Sequence, residues 1–425
     1  MKTIDLEILQ SAVSGTAAAF RARTRLQPAG GEGDKAFPPT YAGAVYATEE
    51  RRVKQTDGSY TAIPCVLMDS VQSQANRLEE ALQIAIDAGR FNDCPIPVIE
   101  VDFSGTELLD EIGRITSLQA PHRAADAILR DSLHDGVPFR KSDLGKKLDY
   151  ASLNNATPLY QICPTALVFG IWDSTGPKGG LGAKFQRALV SEIVGINAQT
   201  GAKTSSRRDP LGITTSAGPL FIAKDPTTCA WTTNPDEAAT NKKGEPILYN
   251  PSGSSEGKPG NPSKANHSSV TPTYAENKGG VTLDYAEQIT VLSLPALRRL
   301  RFPVNGGVPT PEADAAGRTV LAALALTACA LAAENGYDLR SRCLLWPEGE
   351  LQWQLLEKPS AEPTVLRVDT DSAIQTLKEA VAATEEIGLQ WRKEPLKLTP
   401  APQLIELLKR SQEIAATEST DEDGD

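Results

Sequence analysis

A run of fifteen residues, Thr319–Ala333, consists almost entirely of alanine, leucine and other small apolar side chains. Arg318 and Glu334 flank this run, which is shorter than the roughly 20 apolar residues that a membrane-spanning helix needs. We therefore predict a core helix over 311–335 that Gly336 ends, and no membrane anchor. The remaining elements must pack around this helix.

The other patterns mix helices and strands without a regular alternation, which favours an α+β fold. We predict helices at 66–88, with Asp69 or Ser70 as its cap, and at 121–132, 183–192, 373–387 and 403–415. We predict strands at 97–103, 165–172, 192–198, 281–294, 343–356 and 364–369. Residues 210–280 contain few large apolar side chains, so we expect most of this segment to pack no core.

The net charge of the chain is −11, which argues against a protein that coats nucleic acid or membrane with its whole surface. Six of the acids lie after Gln412, in a tail without any base that we expect to be disordered. The rest of the chain is only mildly acidic, and a local basic surface remains compatible with this composition.

A glycine-rich stretch followed by basic residues interrupts this acidic chain. Between Ser174 and Arg208 there are six cations and one anion, Glu192. Glycine lets backbone N–H groups approach an anion, and nearby cations offset its charge. The segment therefore predicts a contact with phosphate, although a tight structural turn with solvated cations would have the same composition.

Known nucleotide loops do not fit this stretch. A Walker A pattern that begins at Gly179 would need glycine where Lys184 stands, and a dinucleotide pattern that begins at Gly180 would need glycine where Phe185 stands. What remains is a generic phosphate contact through the loop amides and neighbouring cations.

Further cations near the amino terminus alternate with other residues. Arg21, Arg23 and Arg25 share one face of an extended segment, where they could either bind a polyanion or form the solvated side of an edge strand. Gln72, Asn76 and Arg77 form a polar helix face, which is more often plain surface than a binding site.

The sequence offers little for catalysis or metal binding. The six cysteines form no C-x-x-C pair, and the three histidines lack zinc-site spacing. Asp173 beside the glycine loop could bind Mg²⁺, but a role in capping the turn is the better expectation. We predict a non-enzyme without cofactor or metal, and the dispersed cysteines with no signal peptide favour the cytoplasm.

Several blocks of the sequence resemble one known family. LMDSVQSQANRLEEAL, TSLQAPHRAADAILRDS, FGIWDSTGPKGGLGAKFQRALVSEIVG and SSRRDPLGI are similar to the RAMP backbone subunit of type I-G (formerly I-U) CRISPR systems, the Csb-one family. These proteins are divergent relatives of the Cas-seven backbone proteins of Cascade. The resemblance covers about 21–211 and weakens after residue 280.

The resemblance implies an RNA-recognition-motif-like (ferredoxin-like) palm at 1–209 and 281–400, a hairpin or thumb-like insertion at 210–280, and a carboxy-terminal helix and tail at 401–425. It also implies an antiviral role as a guide-RNA (crRNA)-binding subunit that polymerises along the guide and presents it to target DNA. Implied partners are other Cascade subunits and a separate helicase-nuclease. The aromatic motifs of ordinary RNA-recognition motifs are missing, so we expect backbone gripping and not base stacking on the sheet.

We therefore predict that one cationic channel binds the guide RNA. The candidate RNA-binding residues are Arg21, Arg23, Arg25, Lys35, Gln72, Asn76, Arg77, Arg123, Lys178, Gly179, Gly180, Lys184, Arg187, Arg207 and Arg208. This interpretation requires the cations near the glycine loop to share a surface with the amino-terminal arginines. Two alternatives stay open: a metal-dependent RAMP ribonuclease with Asp173 at the scissile phosphate, and an enzyme of a phosphorylated metabolite.

Overall fold

The structure is a computed structural model that describes residues 1–54, 57–173, 184–251 and 258–423, with side chains of the last helix up to residue 416. The chain divides into two compact units. Unit 1 comprises Met1–Thr106, Glu111–Gln199 and Gly280–Leu404, and unit 2 comprises Glu107–Asp110, Thr200–Gly279 and Ile405–Asp425.

The α-helices differ widely in length. They are α1 (Leu6–Ser14), α2 (Val71–Asp87), α3 (Ala127–Arg130), α4 (Asp143–Asp149), α5 (Thr157–Ile162), α6 (Thr165–Phe169), α7 (Leu294–Arg298), α8 (Pro311–Asn335), α9 (Thr370–Glu386) and α10 (Pro402–Asp423).

The strands are mostly short. They are β1 (Lys2–Thr3), β2 (Ala19–Pro28), β3 (Thr40–Tyr41), β4 (Val45–Tyr46), β5 (Thr48–Lys54), β6 (Tyr60–Asp69), β7 (Ile99–Asp102), β8 (Arg114–Thr116), β9 (Ser132–His134), β10 (Val137–Pro138), β11 (Ile171–Trp172), β12 (Lys184–Phe185), β13 (Leu189–Ile196), β14 (Gln199–Thr200), β15 (Lys203–Arg207), β16 (Phe221–Ile222), β17 (Trp231–Thr232), β18 (Val270–Ala275), β19 (Val281–Thr282), β20 (Tyr285–Ser293), β21 (Tyr337–Asp338), β22 (Leu344–Pro347), β23 (Trp353–Leu356), β24 (Thr364–Arg367) and β25 (Leu396–Pro400).

The main feature of unit 1 is a ten-stranded sheet with the order β1-β24-β23-β2-β20-β13-β6-β5, to which β21 and β22 are added beside β2. Its four central strands, β23, β2, β20 and β13, are antiparallel to their neighbours. A second, five-stranded sheet has the order β10-β9-β25-β7-β8, with β25 parallel to β7. The expected α+β class is therefore confirmed.

Helices α2 and α8 pack against each other on one side of the large sheet. The sequence explains both helices. Ser70 caps α2 by accepting a hydrogen bond from Ser73 N, and the apolar residues Ala75, Leu78, Leu82 and Ala85 of this helix are buried on one face. Thr310 caps α8 in the same way, and this helix is buried along most of its length.

By length and composition alone α8 could cross a membrane, but 78% of its most apolar window is buried inside the protein. It packs against α1, α2 and α9. Asp314 near its start is fully buried and accepts a hydrogen bond from Phe302 N at 2.8 Å. The predicted core helix over 311–335 is confirmed.

Four local predictions are wrong. Residues 60–69 form strand β6, so the helix predicted at 66–88 begins only at Val71. In place of the helix predicted at 121–132 there are a 3₁₀ turn, Arg123–Ala125, and the single turn α3. Residues 165–169 form helix α6 and not a strand, because a fully buried short apolar run has no period that separates the two.

The fourth error concerns the segment after the glycine loop. We expected a helix at 183–192, but its described part forms β12 and the beginning of β13. Strand β13 pairs with β20 on one side and β6 on the other, so long-range hydrogen bonds override the weak helical period.

Unit 2 contains a few short strands and a small core. Leu220, Ala230 and Tyr249 are buried together, whereas we expected most of residues 210–280 to pack no core. Strands β15 and β18 form a two-stranded antiparallel ribbon with mostly exposed side chains. Helix α10 continues to Asp423, so the backbone of the acidic tail is helical beyond the predicted end at residue 415.

Candidate nucleic-acid interface

A cleft of about 940 Å³ lies in unit 1, beside the start of strand β13. Its walls come from the first turns of α2, the turn between α6 and β11, strand β12, and the end of α7. The cleft thus brings together segments that are far apart in the sequence. Residues 174–183, which connect β11 to β12, lie outside the described residues.

The charges in this cleft are of one sign. Lys184, Arg187 and Arg299 line it with exposed side chains, and no Asp or Glu occurs among its described lining residues. Arg299 donates to Gln186 Oε1 at 2.8 Å, a neutral partner. In a chain of net charge −11, a cleft with several cations and no described acid favours an anionic ligand.

Two amides predicted as candidates face the same cleft. Gln72 and Asn76 are one helical turn apart on α2 and are both exposed. His122 also lines the cleft. Neutral amides beside cations can donate hydrogen bonds to phosphate and sugar oxygens, so the cleft combines charge with directional donors.

Arg123 lines the cleft but is a buried residue. Its guanidinium donates to Glu79 through Nε at 2.7 Å and Nη2 at 2.6 Å, and to the carbonyl of Gly170 at 3.2 Å. Burial raises the pKa of Glu79 to about 7, although Arg123 and Thr165 act in the opposite direction. Because the ion pair with Glu79 neutralises the charge of Arg123, we assign this arginine a structural role in the cleft wall.

Arg77 points away from the cleft, toward the helix-covered side of the sheet. Its Nε lies 3.0 Å from Asp69 Oδ2, and its Nη2 donates to the carbonyl of Leu339. The neighbouring Gln74 is buried and donates to the same Asp69 oxygen at 2.7 Å. The position of Arg77 is explained by these internal contacts.

The amino-terminal arginines lie on the opposite face of the sheet from α2 and α8. Phe20, Ala22 and Thr24 of β2 are buried, whereas Arg23 and Arg25, which alternate with them, are exposed. We call this side of the large sheet the open face. The expected period of two is therefore present, within a central strand and not at an edge.

The three arginines have different partners. Arg21 donates to Gln354 Oε1 at 3.0 and 2.6 Å, which leaves its charge without an acid. Arg23 forms an ion pair with Glu287 at 2.7 Å. Arg25 lies over the ring of Tyr285 at 4.1 Å. Arg21 and Arg25 thus keep more of their charge for a ligand than Arg23 does.

The strand register connects the open face to the cleft. Val190, which lines the cleft, lies opposite Val291 of β20, and Val291 lies opposite Arg21 of β2. Directly opposed residues point to the same face, and two strand spacings amount to about 10 Å. The cleft, which Val190 lines, is therefore next to the Arg21 end of the arginine row.

The other candidates lie elsewhere. Lys35 lies in the loop after β2 and is not among the residues that line the cleft. Lys178, Gly179 and Gly180 lie outside the described residues. Arg207 and Arg208 belong to unit 2, where Arg207 donates to Asn266 and to the carbonyls of His267 and Ser268. Arg208 is exposed.

Asp173, the candidate metal ligand, is buried and forms an ion pair with Arg140, which also contacts Asp149. No group of three or more His, Cys, Asp or Glu side chains suited to a metal ion occurs among residues 1–54, 57–173, 184–251 and 258–416. Asp173 is the last described residue before the glycine loop, and its ion pair with Arg140 holds the backbone at this point.

The residues of the cleft that sequence reasoning missed include Arg299 and Trp172. Arg299 lies in the basic string LRRLR, but its neighbours Arg298 and Arg301 have internal partners, and the string does not distinguish them. Trp172 is 61% exposed at the edge of the cleft. The position of Trp172 just before the glycine loop was the sequence signal that could have identified it.

Residues 20–200 match the family model described as CRISPR-associated protein GSU0053. No curated protein matches the chain. The match covers less than half of the chain but includes α2, β11, β12, β13 and all of β2 except its first residue, which carry much of the site described above. It supports a CRISPR-associated role for this protein.

Proposed function

We propose that this chain is a guide-RNA-binding backbone subunit of a type I CRISPR effector complex of the Cascade kind, close to the type I-G RAMP subunits. The observation that carries the proposal is the cleft in which Lys184, Arg187 and Arg299 meet without a described acid. The arginine row on the open face extends this cationic surface. A polyanion that is longer than one nucleotide would use both.

The topology of the large sheet supports an RNA-recognition-motif-like palm. Strand β2, helix α2, strands β13 and β20, helix α8 and strand β23 follow one another in the chain as β-α-β-β-α-β, with further elements inserted. In space the strands have the order fourth, first, third, second, with both helices on one side. This chain order and strand order are those expected of a ferredoxin-like palm, and they support this part of the proposal.

In this proposal, unit 2 supplies the hairpin of such a subunit. The β15–β18 ribbon carries Lys203 and the 66% exposed Tyr274 on strands with few buried side chains. We assign to this ribbon, rather than to the whole of 210–280, the role of the thumb-like insertion.

In this proposal the protein is cytoplasmic and performs no catalysis, and several copies bind one guide RNA side by side. The guide pairs with target DNA, and a separate helicase-nuclease cleaves that DNA. The pairing of Asp173 with Arg140 gives no support to the ribonuclease alternative.

The test is purification of the untagged protein from its native host, followed by sequencing of co-purified RNA and native mass measurement. We expect CRISPR guide sequences and a mass of several protomers. Asp173→Ala should leave the bound RNA intact and uncleaved, as in the unmodified chain. A nucleic-acid-free monomer that fails to bind single-stranded RNA at low salt would contradict the proposal.

A further inference from the structure

An exposed tryptophan lies at the cleft, two residues before the glycine loop begins in the sequence. Trp172 on β11 is 61% exposed and lies directly opposite Lys184 on β12. The Lys184 Nζ is 5.3 Å from the centre of the indole ring. Single exposed apolar side chains are common, so exposure alone carries no function.

The surroundings hold this ring in place. Ile171 and Phe185, which lie opposite each other in the same two-stranded pair, are buried and fix the other face of the pair. Gly170 has a positive φ of 84°, and a Cβ there would come within 3.0 Å of Arg187 N. Asp173, which follows the tryptophan, is held by Arg140. The indole is therefore presented outward from a fixed backbone.

The chemistry around the ring suits a nucleotide. Lys184, Arg187 and Arg299 can contact phosphates, and Gln72, Asn76 and Gln186 offer amide groups on the same cleft. A volume of about 940 Å³ lies within the range of ligand pockets and is large enough for a nucleotide. An aromatic ring between such cations is the arrangement with which proteins stack unpaired bases.

We propose that Trp172 is a stacking platform for one base of the single-stranded RNA in the cleft. This inference rests on the proposed function and names one base contact within the cleft. In it Lys184 moves from the indole ring to a phosphate when RNA binds. The platform accepts any base, because every base has a flat π surface.

The experiment compares two oligonucleotides of equal charge. A labelled U12 RNA and a twelve-unit abasic RNA are titrated with the full-length chain and with Trp172→Ala, Trp172→Phe and Tyr150→Ala. Tyr150 is the control, since its side chain is 68% exposed and lies outside the cleft. Affinity and its salt dependence are measured for each pair.

We expect Trp172→Ala to weaken U12 binding on the order of 5- to 100-fold, the range found for one stacked base. Trp172→Phe should remain within a few-fold of the unmodified chain. Neither variant should change binding of the abasic RNA or the salt slope, because the phosphate contacts remain. In the unmodified chain, U12 should quench the part of the tryptophan fluorescence that Trp172→Phe removes.

Equal losses on both oligonucleotides, or a Trp172→Ala variant that binds U12 as well as Tyr150→Ala does, would overturn the stacking role alone. If the unmodified chain bound neither oligonucleotide, the proposed function and this inference would both be wrong. Unchanged fluorescence on U12 binding would also count against the platform, independently of how well the variants fold.

Discussion

The two faces of the large sheet carry similar polar side chains, but these side chains have different bonding partners. On the helix-covered face, Gln74 accepts from Ser191 Oγ and Gln288 Nε2 and donates to Asp69. A cavity of about 200 Å³ on this side is lined by residues of both charge signs. On the open face and in the cleft next to it, several cations have no acidic partner among the described residues.

This difference shows that the neighbours of a polar side chain, and not its type, decide its role. Buried polar groups need partners within the protein, since an unsatisfied one costs about 1–3 kcal/mol. A cation that remains without an acid at the surface costs little, because water solvates it until a ligand arrives. The following variants test this division.

The largest effect is expected for the buried ion pair at the cleft wall. At pH 8, Arg123→Met should lower the free energy of unfolding by about 3–5 kcal/mol, because it leaves the carboxylate of Glu79 without its cation. Urea unfolding followed by circular dichroism measures the loss. Arg187→Met is the matched control and should stay within about 0.5 kcal/mol. Equal stabilities of the two variants would contradict the division.

The same variant has a predicted pH dependence. Burial raises the pKa of Glu79 from 4.5 to about 7. Protonation of Glu79 therefore contributes fully to the stability of the fold below pH 4.5, and this contribution is lost as the pH rises through 7. Without Arg123 the pKa rises further, and the loss continues to higher pH. The penalty of Arg123→Met should therefore be larger at pH 8 than at pH 5.5. A penalty independent of pH would show that Glu79 does not titrate.

The next largest effect on stability is expected for two amide side chains of α2, Gln74 and Asn76. Gln74→Leu should cost about 1–3 kcal/mol in unfolding free energy, because Ser191 and Asp69 lose a buried partner. Asn76→Leu changes the same chemistry on the exposed side of the helix and should change stability by at most about 0.5 kcal/mol. A reversed order in urea unfolding would mean that the helix faces are assigned incorrectly.

The cleft cations should act on binding and not on folding. Lys184→Gln combined with Arg187→Gln should weaken single-stranded RNA binding about tenfold at 0.15 M salt and reduce the log–log salt slope by about 1.4. The control is Lys147→Gln combined with Lys397→Gln, which removes the same charge from exposed positions outside the cleft. If both double variants reduced the slope equally, only net charge would matter.

The smallest expected effect compares one arginine from each face. Arg25→Gln should reduce the salt slope of RNA binding by about 0.7 without a change in stability. Arg77→Gln should leave the slope unchanged, because Asp69 and the Leu339 carbonyl already take its donors. Fluorescence polarisation over a range of salt concentrations measures both slopes. A slope that responds to Arg77 and not to Arg25 would reverse the roles of the faces.

The elements that the sequence predicted well are those with a local signal. Helix α8 has a continuous apolar run and a terminating Gly336, and α2 has a stripe with Ser70 as its cap. Helix α6 and strand β12 were missed because their conformations depend on partners elsewhere in the chain. Strand β6 was not predicted at all, for the same reason, since its hydrogen bonds go to β5 and β13.

By itself, the sequence determined the mixture of helices and strands, the buried core helix and the local excess of cations after the glycine loop. Only the tertiary structure decided which of these cations keep their charge for a ligand. Arg123 meets Glu79, while Arg187 and the unexpected Arg299 meet no described acid in the cleft. Ion pairs form between residues that are distant in the chain, and folding alone sets which of them meet.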